Sequence, residues 1–213
     1  MKIRNFIMGA ILTNCYFLIP EEGSEILLID PGMDGEGIYA KLREKGLTPR
    51  FILLTHGHFD HAMGAAYLRE KTGAQVVVHR GDIELLSDPQ KSGANMYYGS
   101  PLLTYPACSV DLPVNDGDRI TLGEIDLRVI HTPGHTNGSV CFDTGEELFC
   151  GDTLFRSGFG RTDLYGGSSE ALADSLQALS NLPGERRIYP GHGNSSRLSA
   201  ERGNIEYYVR RFG

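Results

Sequence analysis

Between Thr55 and His61 the chain reads Thr-His-Gly-His-Phe-Asp-His, which places three imidazoles and one carboxylate within seven consecutive residues. Donors at that density point to a metal site. Further along, three single donors each stand beside glycine at the end of an apolar run: His135 in Thr132-Pro133-Gly134-His135-Thr136, Asp152 in Cys150-Gly151-Asp152-Thr153, and His192 in Tyr189-Pro190-Gly191-His192-Gly193. Each repeats one local grammar: a strand delivers the chain, glycine permits a turn and a close backbone approach, and the donor follows. Imidazole and carboxylate together suit zinc, iron or manganese, and the absence of cysteine from the set disfavours a closed structural zinc site. His56 and His58 can converge on one ion from an extended backbone, whereas Asp60 and His61 point elsewhere, so the spacing suggests two metals.

The elements that position these donors follow from periodicity. Residues 2–7, 12–19 and 25–30 read as successive strands, and Pro31-Gly32 ends the third with a turn. A helix at 38–45 stopped by Gly46 leads into the apolar run 51–54, and 62–71 reads as the helix after the donor loop. A strand at 75–79 and a short helix at 82–86 follow. The stretch 88–113, with Pro89, Pro101, Pro106, Pro113 and three tyrosines, reads as a long loop: either a lid or binding loop, or a solvated connection packed by its own tyrosines. Four short strands are expected at 119–122, 125–131, 138–143 and 146–150, then a helix at 169–180, a strand at 187–189 and a C-terminal helix including Ile205, Tyr208 and Val209. Strands and helices recur twice in similar order, which suits two sheets face to face with helices outside and donors emerging at one shared edge.

Length and composition bound the function. At 213 residues, 40% hydrophobic and 22% charged, the chain is expected to form one globular domain over 1–213. A net charge of −7 argues against binding nucleic acid or an anionic membrane, both of which need clustered cations. The partner expected is therefore a small molecule. Lys2 and Arg4 before the apolar stretch 6–12 superficially resemble a secretory signal, but Asn14 interrupts the run and 14–19 continues as a strand. No run approaches the roughly 18 apolar residues of a membrane span. Cys15, Cys108, Cys141 and Cys150 form no C-x-x-C pair and read as buried thiols of a cytoplasmic, reducing compartment.

In order, T-H-x-H-x-D-H, T-P-G-H-T, G-D-T and P-G-H-G resemble the metal motifs of the metallo-β-lactamase superfamily over nearly the whole chain. Gly151-Asp152-Thr153-Leu154-Phe155 followed by Gly160-Arg161-Thr162-Asp163 is similar to the short hydrolases of its glyoxalase II-like branch. The resemblance implies an α+β fold, an αββα sandwich of two mixed sheets with helices outside. It implies that His56, His58 and His135 hold one divalent ion, that Asp60, His61 and His192 hold a second, and that Asp152 bridges both. Zinc comes first, with iron or manganese compatible. A bridging hydroxide, oriented by Asp60, would then attack a small thioester such as S-lactoylglutathione, or another ester or lactone. The alternative is a mononuclear-iron oxidoreductase similar to the persulfide dioxygenases, which share this fold. Arg161 is read as a bidentate binder of a substrate carboxylate or as the ion-pair partner of Asp163. Thr55, Thr153 and Asp163 are candidates to support ligands. His79 and His131 fall on no ligand position of the family and read as structural.

Overall fold

The computed structural model describes residues 1–99 and 105–213; Pro101 and the rest of 100–104, within the loop expected at 88–113, lie outside the described residues. The first sheet is ordered β1 (Lys2–Met8), β2 (Thr13–Ile19), β3 (Glu25–Ile29), β4 (Thr48–Leu53), β5 (Gln75–His79), β6 (Leu112–Val114). Its first three strands run antiparallel and the remainder parallel, so the sheet is mixed. The second sheet is built from β7 (Arg119–Leu122), β8 (Ile125–His131), β9 (Val140–Asp143) and β10 (Glu147–Gly151), with β13 (Arg187–Pro190) and β14 (Ser196–Arg197) completing it beyond β10. Between these lies a hairpin, β11 (Leu154–Phe155) and β12 (Gly158–Phe159).

Strand runs such as Ile26-Leu27-Leu28-Ile29 are apolar throughout because both faces of each sheet are covered. Leu27, Ile29, Leu53 and Val77 meet Leu127, Val129, Phe142 and Phe149 between the sheets. The alternate residues Ile26, Leu28, Ile52 and Val76 face the opposite way, against Ile38 and Leu42 of helix α1 (Gly35–Lys45) and Leu68 of α3 (Ala65–Thr72). On the far side, Leu148 and Ile188 pack on Leu172, Leu176 and Leu179 of α5 (Ser169–Ser180) and Ile205 of α6 (Leu198–Phe212). The order is helices, sheet, sheet, helices: the αββα sandwich. All four cysteines are free and buried.

The helix expected at 62–71 is two pieces, α2 (Phe59–Ala62) and α3, because the Gly64 N–H turns to the Gly32 carbonyl at 2.7 Å and the chain crosses Gly35 there with no room for a side chain. The segment expected to be helical at 82–86 is a 3₁₀ helix, Arg80–Leu86. Helix α4 (Ala94–Tyr98) interrupts the expected loop, and it, the β11–β12 hairpin, β6 and β14 have no periodicity long enough to be read locally. No helix among the described residues is long and apolar enough to cross a membrane.

Candidate metal centre

The donors gather where strands of both sheets end. β10 and β13 run parallel, with Gly151 opposite Pro190 and the Gly191 N–H bonded to the Gly151 carbonyl at 2.7 Å, so Asp152 and His192 leave the sheet side by side. Gly151 has φ 48°, and a Cβ there would lie 2.2 Å from Thr55 Oγ1. A Cβ on Gly191 would lie 2.2 Å from Asp152 Oδ1 and 2.5 Å from His61 Cε1. Glycine is required at both positions for the two halves of the centre to meet. Gly191→Ala should therefore displace Asp152 and lower metal content by about ten-fold while the far-UV circular dichroism stays native; metal analysis of the purified variant checks this.

Hydrogen bonds fix which ring nitrogen of each histidine faces inward. Asp30 accepts from the Thr55 N–H at 2.8 Å, from Thr55 Oγ1 at 2.7 Å and from His61 Nδ1 at 2.9 Å. Because the Thr55 hydroxyl spends its one proton on Asp30, its oxygen accepts from His56 Nδ1 at 3.1 Å. His135 Nδ1 donates to the Arg161 carbonyl at 2.7 Å. In the neutral rings, Nε2 of His56, His61 and His135 is thus a bare lone pair directed into the centre. Thr13 Oγ1 donates to Asp60 Oδ2 at 3.3 Å. Tyr16 OH and Asn14 Nδ2 both donate to the Pro190 carbonyl, and Asn14 also reaches the Gly193 carbonyl, stapling the turn that carries His192 onto β2. Buried Asp82 accepts from the Gly57 and Gly138 N–H groups and the Thr136 hydroxyl, tying the first donor loop to the one that carries His135.

The seven sequence-selected donors all come together. Ligand atoms of His56, His58 and His135 lie within 4.8 Å of one another, as do those of Asp60, His61 and His192, and those of His56, His61 and Asp152. Asp152 lies between the two outer sets, 3.4 Å from His61 Nε2, 3.7 Å from His135 Nε2 and 3.6 Å from His192 Nε2. A cation fits this arrangement. His56 Nε2, His58 Nε2 and Asp152 Oδ1 are buried without a hydrogen-bond partner, which is costly for polar atoms. His58 Nδ1 lies 2.9 Å from His135 Nε2, and His61 Nε2 lies 3.2 Å from His192 Nε2, approaches that need a proton or a cation between the nitrogens.

Electrostatics divide the histidines. Burial, then His61 and His135, holds His56 well below the ordinary histidine value, and burial with His135 pushes His58 down to about 3. Burial also opposes charge on His61, but Asp60, Asp152 and Asp30 outweigh it and raise that imidazole well above its usual value; His192 is raised against burial by its bond to Asp60. Asp60 and Asp152, despite burial, are lowered chiefly by His61. For the metal-free chain the signs oppose. His56 and His58 take up protons only on unfolding, so their contribution is lost as pH falls from about 6.5 toward 3. His61 and His192 bind protons more tightly when folded, so theirs is present below about 6.5 and lost as pH rises. Chelated protein should melt highest near pH 6.5 and lower on either side; a melting profile that rises steadily across pH 4 to 9 contradicts this balance.

The centre opens into a pocket of about 240 Å³ lined by His58, Asp60, His135, Asp152 and His192, with Ile11, Phe59, Met96, Tyr97 and Leu164 on its apolar side. Phe59 packs on Tyr97 at 5.1 Å, so part of the 88–113 stretch forms a wall of the pocket. Arg161 also lines it, but its guanidinium makes two 2.7 Å bonds to Asp163, the second of the two readings offered for it. Thr153 pairs with Thr132 at 2.9 Å, away from the donors. His79 and His131 stack at 4.0 Å across the two sheets and bond backbone groups, the Gly81 N–H and the Asn137 carbonyl. His79→Ala should cost about 1 kcal/mol of stability and leave metal content unchanged, as denaturant unfolding with metal analysis will show.

The sequence reading missed Asp30, Asp82, Asn14 and Tyr16. Ile29-Asp30-Pro31-Gly32 was the one legible trace, since an aspartate closing a buried strand needs partners; Asp30 has φ 48° and is 1% exposed.

Comparisons with known proteins agree with this fold. The model of the metallo-beta-lactamase superfamily matches residues 8–192. The chain is 37% identical over 204 residues to the probable metallo-hydrolase YqgX of Bacillus subtilis (strain 168), covering 94% of each. Among solved structures it is similar to the BLEG-1 B3 metallo-beta-lactamase, with TM-score 0.89, 33% identity and coverage of 98% of this chain and 100% of that one. It is also similar to TTHA1623 in a di-iron-bound form, with TM-score 0.79, 36% identity and coverage of 93% and 96%. With every donor from His56 to His192 inside the matched span and gathered at one edge of an αββα sandwich, the chain belongs to the metallo-beta-lactamase superfamily.

Proposed function

We propose that this protein is a dinuclear metal-dependent hydrolase of small thioesters, of which S-lactoylglutathione is an example. The observation that carries the reading is the pair of donor triads with Asp152 between them, holding three buried polar atoms that lack any partner. His56, His58 and His135 would hold one divalent ion, Asp60, His61 and His192 the other, with Asp152 shared; zinc suits the donors, and the di-iron form of a similar structure keeps iron in view. When bound, the ions acidify water and polarise a carbonyl oxygen.

The chain's own residues do the rest. Asp60, braced by Thr13, accepts a hydrogen bond from the attacking water and keeps its lone pair toward the substrate carbonyl. Asp30, Thr55 and the Arg161 carbonyl hold three imidazoles in the tautomer that leaves Nε2 free. Ile11, Phe59, Met96, Tyr97 and Leu164 give the pocket an apolar side that suits an acyl group and excludes bulk water. The stretches Gly151–Phe155 and Gly160–Asp163, similar to the glyoxalase II-like branch, favour a thioester over a β-lactam. Four free buried thiols suit a reducing, cytoplasmic compartment.

The test is metal analysis combined with a panel of acyl thioesters, lactones and β-lactams. Two ions per chain with preferential thioester hydrolysis supports the proposal, and no hydrolysis of any panel member by metal-replete protein sinks it. One iron per chain with oxygen uptake on a persulfide would instead favour the dioxygenase reading.

A further inference from the structure

Beyond the donors, the same loops build a second feature. Arg156 follows Asp152 on the β11–β12 hairpin, and Arg197 follows His192 on β14. With Arg187 of β13, these arginines line a cleft of about 600 Å³ together with Ser195, Ser196 and Ala200, and the cleft shares no lining residue with the metal-site pocket. Arg187 and Arg197 are direct partners in the antiparallel β13–β14 pair, so their side chains leave the same face of the sheet a few ångströms apart. Like charges in that relation repel and destabilise a ladder.

The repulsion is relieved only in part: Glu147 is the register partner of Arg187 on β10, and Glu185 and Glu201 feel the charges of Arg197 and Arg156. Arg69, Arg119, Arg161, Arg186 and Arg210 each have a carboxylate partner, whereas among the described residues Arg156, Arg187 and Arg197 have none within 4.0 Å. Two of the carboxylates nearby are committed: Glu201, which also lines the cleft, is buried and accepts from the Ser157 N–H, Ser196 Oγ and Asn204 Nδ2, and Glu185 accepts from the N–H groups of Arg186 and Ser199, while Glu147 beside Arg187 keeps a buried Oε2 without a hydrogen-bond partner. Arg187 additionally lies over the Tyr189 ring at 5.4 Å, which orders its stem. The 15-residue α6 begins here, with Glu185 accepting from the Ser199 N–H of its first turn, and Ala200 of that turn lines the cleft.

We propose that this cleft binds a phosphate-type dianion, either free phosphate or the phosphate group of a small phosphorylated molecule. Three guanidinium groups and the Ser195 hydroxyl match an ion with two charges and three or more acceptor oxygens better than they match a single carboxylate. The net charge of −7 disfavours a nucleic acid or a membrane as the source of that phosphate.

The test uses the metal-loaded protein, with inorganic phosphate and phenyl phosphate as probes, read by calorimetric titration and by thermal melting. Wild type should bind and be stabilised by phosphate. The Arg187→Gln, Arg197→Gln double variant should melt at or above wild type in phosphate-free buffer, keep its metal content, lose the stabilisation by phosphate and bind about ten-fold or more weakly. An Arg210→Gln, Arg211→Gln control should bind as wild type does. Tighter binding of phenyl phosphate than of phosphate identifies a phosphorylated molecule as the ligand, and the reverse identifies the free ion. Unchanged phosphate affinity in the Arg187/Arg197 variant, or equal loss in the control, overturns the proposal: the anion would then be held at the metals or by net charge alone. None of these outcomes bears on thioester hydrolysis, which is assayed separately.

Discussion

Asp152→Ala is expected to lower metal-dependent hydrolysis by at least about 10³-fold and to reduce the content of both ions, with the fold retained. The loss is large because Asp152 lies near imidazoles of both triads, 3.4 to 3.7 Å from His61, His135 and His192. On the proposed mechanism, several kcal/mol of electrostatic stabilisation of the reacting oxygen would depend on the ions that Asp152 would help hold, and each 1.36 kcal/mol is ten-fold in rate. The fold survives because Asp152 supports no backbone: its Oδ1 has no hydrogen-bond partner and its Oδ2 meets only histidines. Asp152→Asn separates charge from shape and should also lose most activity. Metal analysis and initial rates on the two variants check the expectation. Retention of both ions and of activity within ten-fold in Asp152→Ala would remove the carboxylate from the centre of the mechanism.

The second large effect falls on a residue that touches no substrate. Asp30→Ala leaves the Thr55 N–H, the Thr55 hydroxyl and His61 Nδ1 without their shared acceptor in a fully buried setting. Each such bond to a carboxylate is worth about 1.5 to 3 kcal/mol, so a loss of at least about 3 kcal/mol is expected. The φ of 48° adds to this, since alanine is strained in the left-handed region that aspartate and asparagine tolerate. With His61 no longer oriented, affinity for the ion shared by Asp60, His61 and His192 should fall about 10- to 100-fold. Asp30→Asn keeps one acceptor and the backbone preference, and should recover part of the stability but less of the metal affinity. Urea unfolding of chelated protein reads the first effect and metal titration the second; a stable Asp30→Ala that loads two ions like wild type would show that the support lies elsewhere.

Much of the architecture was legible because its causes are local. The strands expected at 2–7 and 25–30 and the helices expected at 38–45 and 169–180 declare themselves through runs and periods of apolar residues, the structure starting the first helix a turn earlier at Gly35, and Gly46 stops that helix in the left-handed conformation as a C-terminal glycine should. The broken helix at Met63-Gly64 was not legible, since its pattern is helical on both sides and the break is imposed by the Gly32 carbonyl and by Gly35 in another loop. Helix α4 and the β11–β12 hairpin were missed because they are too short for periodicity to register.

At the centre, the sequence alone marked seven candidate donors, and the fold brings all seven together. Three of them, His135, Asp152 and His192, follow glycine at a strand end, and the other four lie within the loop from His56 to His61, both of them local patterns. The division into two triads with Asp152 between them was implied by the motif resemblance; only the tertiary structure decided how the donors are held: that Arg161 offers His135 its carbonyl while its guanidinium goes to Asp163, and that Asp30 sets two imidazoles at once. Hydrogen bonds around the centre join residues as distant as Asn14 and Gly193, separated by 179 positions. A hydrogen bond between buried groups is required wherever the chain brings them together, and neither partner's neighbours in sequence say with whom it will be made.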